Sequence, residues 1–243
     1  MKIALIADIH GNVDALEAVL EDIGQARVDK TLVLGDIVFK GPLPERCVEA
    51  VRRLNTVVLQ GNIDELVGKG IIQPGFAKSP EHEAALNREM EWTRSRLSKA
   101  QLDYLAGLPF AHEEQVTDKL RLRCVHANPA NLLDIYTPAD SDDRLYDMFV
   151  GSSAQVVAYA HIHLPYVRFL NGKAVFNTGS VGLPFDGDPR ASYAILEAEG
   201  DRYQITLRRV RYDVERTVRA FADSGHPFAD SVIQAIRAGR RPV

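Results

Sequence analysis

The chain has 243 residues, 46% of them hydrophobic and 26% charged, so it can bury a full core and has the size of one α/β domain. Its formal net charge of −4 predicts no basic surface that would follow a nucleic-acid backbone, which argues against long DNA or RNA as a partner. The first apolar run stops at Asp8, too early for a signal peptide, and no run reaches membrane-spanning length. We therefore expect a cytoplasmic protein without a membrane partner.

The first part of the chain alternates predicted strands and helices. Short runs rich in Val, Ile and Leu predict buried strands, and apolar residues at helical spacing predict the helices between them. In chain order these elements are strand 2–7, helix 12–25, strand 31–35, helix 44–54 and strand 56–60. Such a βαβαβ order predicts parallel strands joined by right-handed crossovers.

A helical insertion is predicted over residues 65–107. Its helical spacing is carried by Leu86, Met90, Thr93 and Leu97. Ser98 and Gln101 resemble a capping box that opens a second helix. An apolar stripe of this kind usually packs against the body of a protein, and we expect Trp92 to take part in that contact. The alternative is that the insertion covers a functional site and sets substrate choice.

The second half of the chain predicts mainly strands. Two of them form a hairpin at 110–116 and 119–125, and the others lie at 155–160, 166–170, 173–177, 191–198 and 202–210. Two sheets packed face to face, with helices outside, would use all of the predicted strands. The segment 213–243 shows helical periodicity interrupted near Gly225, and we expect the arginines at its end to form a solvated cluster at a helix C-terminus. These arginines are Arg237, Arg240 and Arg241.

Several predicted strands end at residues that bind metals. These residues are Asp8, His10, Asp36, Asn62, His126, His161 and His163. Ligands of open α/β sheets bind at the carboxyl ends of the strands, so the seven side chains are expected to meet at one edge.

The residue types in this set indicate the chemistry of the site. Four imidazoles, two carboxylates and one amide oxygen form a mixed N/O donor set suited to Zn, Mn, Fe or Co. Seven ligands are too many for one tetrahedral ion, whereas two ions about 3.5–4 Å apart could share them through a bridging carboxylate. Asp36 is the expected bridge, because Gly35 before it permits a tight turn.

The order Asp-x-His, Gly-Asp, Gly-Asn, Val-His and x-His-x-His resembles that of the calcineurin-like metallophosphoesterases, in particular their small bacterial phosphodiesterase branch. The resemblance runs from Ile3 to about Glu197. It implies an α/β fold in which two mixed sheets form a four-layer αββα sandwich. Length and composition predict a single domain over 1–243, with the insertion and the helical C-terminal segment attached to it.

The same resemblance implies a ligand set for each of two divalent ions, which could be Mn, Zn, Fe, Ni or Co. The first ion would be held by Asp8, His10, Asp36 and His163. The second would be held by Asp36, Asn62, His126 and His161. We expect Asp36, Asn62 and His126 to be the catalytic residues among them. The implied reaction is in-line attack of a metal-bound hydroxide on the phosphorus of a small phosphate ester, with phosphodiesters favoured.

One position departs from the fuller family pattern. Many members have a histidine after the Gly-Asn pair, where it protonates the leaving group, but this chain has Ile63. Loss of a general acid costs about 10²–10⁴-fold in rate, most of all for poor leaving groups. The sequence therefore predicts better turnover of aryl phosphodiesters than of alkyl monoesters. Asp64, the next residue, could orient the Asn62 loop or simply be a carboxylate at a helix N-terminus.

Two basic residues are candidates for substrate binding. Lys40 follows the expected bridge by four residues and could reach a phosphate, or it could be a solvated loop lysine. Arg190 could bind phosphate bidentately, or it could pair with Asp186 or Asp188 within a turn. The remaining histidines are expected at the surface, namely His82, His112 and His226.

Two alternatives to a small-molecule phosphoesterase remain open. A retromer scaffold related to this family keeps the fold without catalysis, so a non-catalytic metal-binding scaffold is the main alternative. Scaffolds usually show eroded ligand sets, whereas this chain has every ligand in place. A metal-dependent nuclease would share the site but would need a basic groove, which the net charge argues against.

Overall fold

The computed structural model describes residues 1–241, which form two β-sheets with helices on their outer faces. The strands are β1 (Lys2–Ile6), β2 (Lys30–Val33), β3 (Ala111–Thr117), β4 (Leu120–Val125), β5 (Val156–Tyr159), β6 (Tyr166–Leu170), β7 (Lys173–Asn177), β8 (Ala191–Glu199) and β9 (Arg202–Val210). The helices are α1 (Val13–Ala26), α2 (Pro44–Arg53), α3 (Asn62–Lys69), α4 (Pro80–Ser95), α5 (Lys99–Ala106), α6 (Asp142–Tyr146), α7 (Val214–Ser224) and α8 (Ala229–Ala238).

Both sheets are mixed. The first has the strand order β2-β1-β8-β9, in which β1 is parallel to β2 and antiparallel to β8. The second has the order β3-β4-β5-β7-β6, in which β4, β5 and β7 are parallel and the two edge strands are antiparallel to their neighbours. Within each sheet, the parallel strands bring their carboxyl ends to the same edge.

The core between the sheets explains why β1 is a continuous apolar run. Ile3 and Leu5 face the second sheet, where they join a buried cluster with Leu122 and Phe176. The alternate residues of β1 face the other way and pack with residues of α1, such as Leu16. Side chains alternate between the two faces of a strand, so a strand buried on both faces must be apolar throughout. The predicted four-layer αββα sandwich is confirmed.

The predicted strand 56–60 is the largest difference from the sequence prediction. Val58 forms only an isolated parallel bridge with Val33 at the edge of the first sheet. Immediately afterwards, the Gln60 amide donates to Pro109 O (2.8 Å), and its side-chain amide donates to Leu105 O (2.8 Å). The segment therefore turns away from the first sheet after this single bridge, and Gln60 bonds to the end of α5 and to the residues that follow it.

The segment 65–107, predicted to be an insertion, contains the end of α3 and the helices α4 and α5. Ser98 and Gln101 form the expected capping box of α5. The Trp92 indole N–H donates to Ser224 O (3.2 Å) at the end of α7, so α4 packs against the C-terminal helices. The assignment of 1–243 to one domain stays a prediction, and residues 242 and 243 of the predicted C-terminal segment lie outside the described residues. None of the helices in residues 1–241 combines the length and the hydrophobicity of a membrane span.

Candidate metal centre

The seven predicted ligand side chains meet at one edge, as expected from the strand directions. Asp8 and His10 follow β1, Asp36 follows β2, His126 follows β4, and the pair His161 and His163 follows β5, while Asn62 opens α3. All are buried except His161, which is partly exposed. His161 therefore lies on the side of the site that solvent can reach.

Asp36 lies between two groups of ligand atoms. On one side, its Oδ2 atom is 3.7 Å from His10 Nε2, which is itself 3.1 Å from His163 Nε2. On the other side, the same oxygen is 3.5 Å from His126 Nε2. Asn62 Oδ1 completes that second group, at 3.0 Å from His126 Nε2 and 3.0 Å from His161 Nδ1.

Backbone carbonyls fix the orientation of three imidazoles. The Nδ1 atoms of His10, His126 and His163 donate to the carbonyl oxygens of Val38 (3.3 Å), Leu34 (2.7 Å) and Leu183 (2.5 Å), respectively. A carbonyl only accepts hydrogen bonds, so each Nδ1 carries the proton and each Nε2 points into the site. Carbonyl groups that accept the Nδ1 proton impose this arrangement on metal-ligating histidines.

The arrangement of donors suits divalent cations. Neutral His10 and His163 would direct their Nε2 lone pairs at each other across 3.1 Å, an unfavourable contact that a cation between them would remove. Asp8 Oδ1 lies 3.5 Å from His163 Nε2, is buried, and has no hydrogen-bond partner among residues 1–241. Buried polar atoms are rarely left without a partner, so this oxygen is available to a metal ion.

Strained backbone presents most of these side chains. Five of the seven have positive φ, namely Asp8 (52°), His10 (49°), Asp36 (55°), His161 (67°) and His163 (59°). A non-glycine residue in this region costs about 1–3 kcal/mol and persists only when its surroundings enforce it. Hydrogen bonds between the loops do so here, because the Asp8 and His10 amides donate to Gly35 O and Asp36 O, both at 3.0 Å.

Two glycines allow the Asp36 loop and the Asn62 loop to touch. Gly35 has φ of +96°, which permits the tight turn predicted before Asp36. A Cβ on Gly61 would lie 2.0 Å from Asp36 Oδ1. The Asp36 carboxylate therefore fits against the backbone of the second loop, and its Oδ1 accepts a hydrogen bond from the Ile63 amide (2.9 Å).

Asp64 connects the Asp36 loop and the Asn62 loop through hydrogen bonds. Its carboxylate accepts hydrogen bonds from the amides of Asp36 (2.7 Å), Ile37 (2.9 Å) and Gly61 (3.1 Å). Burial, together with the charge of Asp36, raises the pKa of Asp64 to about 7. Both sequence interpretations of Asp64 hold, since it lies in the first turn of α3 and also orients the Asn62 loop.

The concentration of charge shifts the protonation of the ligands. Burial and the nearby Asp36 raise the pKa of Asp8 well above its ordinary value. Burial lowers the pKa of His10 and, to a greater extent, that of His163. His126 behaves differently because the charge of Asp36 outweighs its burial and raises its pKa to about 9. Metal binding would thus have to displace a proton from His126 at neutral pH.

Lys40 lies beside the centre and is held by a carboxylate that the sequence prediction missed. Its ammonium group donates to Glu89 Oε2 (2.6 Å) and its amide to Glu89 Oε1 (3.1 Å), from a backbone φ of 64°. Burial lowers the pKa of His10 most strongly, and the charge of Asp36 opposes this effect. The charge of Lys40 lowers the pKa further. Lys40 is therefore close enough to influence the ligands, although it shares its charge with Glu89.

His226, predicted at the surface, is buried. Its ring lies edge-on to Trp92, with centroids 4.6 Å apart, and its Nε2 is 3.2 Å from Glu89 Oε1. The Phe228 amide donates to Nδ1 (3.1 Å), so in the neutral ring Nε2 carries the proton and faces the Glu89 carboxylate. The surface prediction was wrong because the Gly225-His226-Pro227 turn is covered by α4.

Arg190 occupies the alternative predicted for it. Its guanidinium forms a bidentate ion pair with Asp188, with nitrogen–oxygen distances of 3.0 and 2.5 Å, on an exposed turn.

The Asn177–Ser180 turn lies closer to the site. Ser180 Oγ donates to Asp8 O (2.7 Å), and the Gly182 amide donates to the same carbonyl (3.0 Å), so this turn supports the first ligand loop.

A family model described as the calcineurin-like phosphoesterase superfamily domain matches residues 1–201, and the chain belongs to this superfamily. It resembles a metallophosphoesterase from Sphaerobacter thermophilus, whose crystal structure superposes with a TM-score of 0.78 at 31% identity over 98% of this chain and 99% of that one. The predictions of the family, the fold and a hydrolytic phosphoesterase are confirmed. The family also implies divalent metal ions.

Two curated relatives extend the comparison. An uncharacterised protein of Methanocaldococcus jannaschii is 32% identical over 232 residues, which cover 88% of this chain and 89% of the relative. The phosphodiesterase YfcE of Escherichia coli is 28% identical over 207 residues, which cover 81% of this chain and 88% of YfcE. The likeness therefore spans most of each protein.

Proposed function

We propose that the chain binds two divalent metal ions through the seven clustered side chains and hydrolyses small phosphodiesters, nucleotide-type esters among them. The observation that carries this proposal is the pair of Nε2 atoms of His10 and His163, which face each other at 3.1 Å beside Asp8 Oδ1, an atom without a hydrogen-bond partner in the described part of the chain. The name of the relative YfcE, a phosphodiesterase, supports the diester preference.

The proposed ligand sets share Asp36. Asp8, His10, Asp36 and His163 would hold the first ion, and Asp36, Asn62, His126 and His161 the second. The central position of Asp36 Oδ2, 3.7 Å from His10 Nε2 and 3.5 Å from His126 Nε2, supports the bridging role. Asp8 has one oxygen left for an ion because its Oδ2 accepts a hydrogen bond from the His161 amide (3.1 Å).

When bound, two divalent ions would lower the pKa of a water molecule and neutralise the charge that builds on the phosphoryl oxygens. The side chains that could act as protein nucleophiles are engaged or buried. Ser180 Oγ donates to a backbone carbonyl, and burial raises the pKa of the Cys124 thiol. Water is therefore the proposed nucleophile. Asp36, Asn62 and His126 are the proposed catalytic residues, which would hold the second ion.

Lys40 is the stronger of the two proposed substrate contacts. Its side chain is partly exposed, its charge acts on His10, and Glu89 holds it in place. Arg190 remains the weaker candidate because Asp188 already occupies its guanidinium group. Lys40 would provide a point charge for a phosphoryl oxygen, which is the usual role of lysine at phosphate sites.

Replacing Ile63 with histidine should raise the turnover of alkyl phosphate esters by about tenfold or more while leaving aryl diesters little changed, since only poor leaving groups need a proton donor. Ile63 is 6% exposed and packs in the cluster that contains Ile37 and Leu66. The measurement is kcat for both ester types, with metal content checked. Ile63→Leu is the matched control without a proton donor, and an unchanged alkyl rate with both metals bound would refute the role of this position.

The decisive experiment removes the metals and restores them one at a time. Chelated protein should lose activity, and addition of Mn, Zn, Ni, Co or Mg should restore it to different extents. The substrates are an aryl phosphodiester, an aryl monoester and a cyclic nucleotide, and we expect the aryl diester to be hydrolysed fastest. Protein that binds two equivalents of metal and hydrolyses none of these substrates would support the scaffold alternative.

A further inference from the structure

The end of α8 is fixed to the loop that follows the Asn177–Ser180 turn. The Gly187 amide donates to Gly239 O (2.8 Å), and a Cβ on Gly239 would lie 2.7 Å from the backbone of Asp188. Leu183 packs in a buried cluster with Phe221 of α7 and with α8 residues. The C-terminal helices and the loop at 183–188 therefore form one packed unit.

The same loop forms a wall of the candidate metal centre. Leu183 O accepts the Nδ1 hydrogen bond of His163 (2.5 Å), and the Phe185 amide donates to His163 O (3.3 Å). The Phe185 ring stacks on the His163 ring, with centroids 4.4 Å apart and an interplanar angle of 10°. The C-terminal helices are thus connected through this loop to a proposed ligand by direct contacts.

Arg241 reaches this wall from the end of the described chain. Its guanidinium carbon lies 5.3 Å from the centroid of the Phe185 ring, within cation–π distance. Arg241 is exposed, as expected for a solvated cluster at the end of the chain, and it also lies against the aromatic ring that stacks on His163.

Arg241, like the adjacent Arg240, differs in its charge environment from the paired arginines Arg190 and Arg209. Arg190 is paired with Asp188, and Arg209 is paired with Asp186. Within residues 1–241, Arg241 has no salt-bridge partner. An exposed guanidinium that is held against an aromatic ring and is not neutralised by a carboxylate is suited to bind an anionic group of a ligand.

We propose that Arg241 forms a subsite for a second phosphate group carried by the non-reacting substituent of the phosphodiester, an inference that rests on the proposed function. The guanidinium is one aromatic layer away from His163 and does not touch it. A phosphorus atom bound at the centre would lie next to His163. The group that contacts Arg241 therefore belongs to the substituent. A nucleotide ester with a further phosphate is the substrate class that this position of Arg241 favours.

A matched pair of substrates tests the subsite. The two esters are the p-nitrophenyl ester of thymidine 5′-phosphate and the same ester with an added 3′-phosphate. The wild-type protein, loaded with manganese, should prefer the ester with the 3′-phosphate. Arg241→Ala should lower kcat/KM for that ester by about tenfold or more, the usual effect of losing a charge-assisted hydrogen bond, and should leave the other ester unchanged.

Controls separate this role from a structural one. Arg237→Ala removes an arginine from the same helix end, where it pairs with Glu215 (2.7 Å), and should change neither rate. Arg241→Lys should restore part of the preference. Metal content, measured for each variant, should stay equal to that of the wild type. Equal loss for both esters in Arg241→Ala, or no loss for either, would overturn the subsite.

Binding is measured independently of turnover. Titration calorimetry with thymidine 3′,5′-bisphosphate and with thymidine 5′-phosphate should show that Arg241→Ala weakens only the bisphosphate. This result stays informative if the wild-type protein hydrolyses neither ester, an outcome that would contradict the proposed function without deciding the subsite. Equal affinity of wild type and Arg241→Ala for the bisphosphate would refute the subsite in either case.

Discussion

Asp36→Asn is expected to lower phosphodiesterase activity by on the order of 10³-fold or more, because it removes the negative charge that both ions would share. The asparagine can keep the shape of the side chain, and its Oδ1 can still accept the Ile63 amide hydrogen bond. The loss should therefore be electrostatic and should appear as a fall in bound metal from two equivalents to one or fewer. Elemental analysis and kcat/KM measured on the same preparations check this result.

An exposed aspartate provides the control for that change. Asp103 forms an ion pair with Lys99 on the surface of α5, far along the chain from any proposed ligand. Asp103→Asn removes the same charge from the protein and should leave both activity and metal content unchanged. Retention of two metal equivalents and full activity in Asp36→Asn would show that Asp36 is not the bridging ligand.

Gly61→Ala is expected to disturb the centre without altering any ligand. The new Cβ would lie 2.0 Å from Asp36 Oδ1 and 2.4 Å from Asp36 N, so the two loops must separate. Overpacking of this kind typically destabilises a protein by about 1–3 kcal/mol. A misplacement of about 1 Å can cost 10²-fold in rate, so we expect a fall in kcat of at least that order.

Gly24→Ala is the matched control for the loop glycine. Gly24 lies in α1, and a Cβ there would meet nothing within 4 Å. Alanine in a helix is favoured over glycine by about 0.5–1 kcal/mol, so this variant should be slightly more stable than the wild type and equally active. Thermal unfolding and kcat are measured for both variants. Wild-type activity in Gly61→Ala would contradict the close loop contact.

The positions of the candidate ligands could be predicted because each follows an apolar run that becomes a buried segment. Asp8, Asp36 and His126 all come directly after such runs, and the direction of parallel strands brings these ends together. Their backbone conformation could not be predicted in the same way. The positive φ of His161 and His163 depends on contacts with distant loops, such as the Asp8 carboxylate that accepts the His161 amide.

Tertiary contacts also explain the predictions that were wrong. The run at 56–60 has the composition of a strand, but Gln60 bonds to Pro109 and to the end of α5, which is not evident from the run itself. His226 lies in a Gly-His-Pro turn, and turns are usually exposed. The position of Trp92 and Glu89 on α4 shows that this turn is covered.

The wide spacing of the ligands has a consequence for how the protein matures during synthesis. His10 and His163 are separated by 153 residues, and the carbonyl of Asp8 is bonded by residues of the turn that begins at Asn177. β1 also pairs with β8 along one side, and β8 is translated late, so β1 cannot complete its pairing until then. Contacts of such high sequence separation form slowly, because a long loop must close before they contribute. His163, the last of the proposed ligands, is translated when about two thirds of the 243 residues have been made, so a nascent chain could offer metal ions the complete set of proposed ligands only after that point.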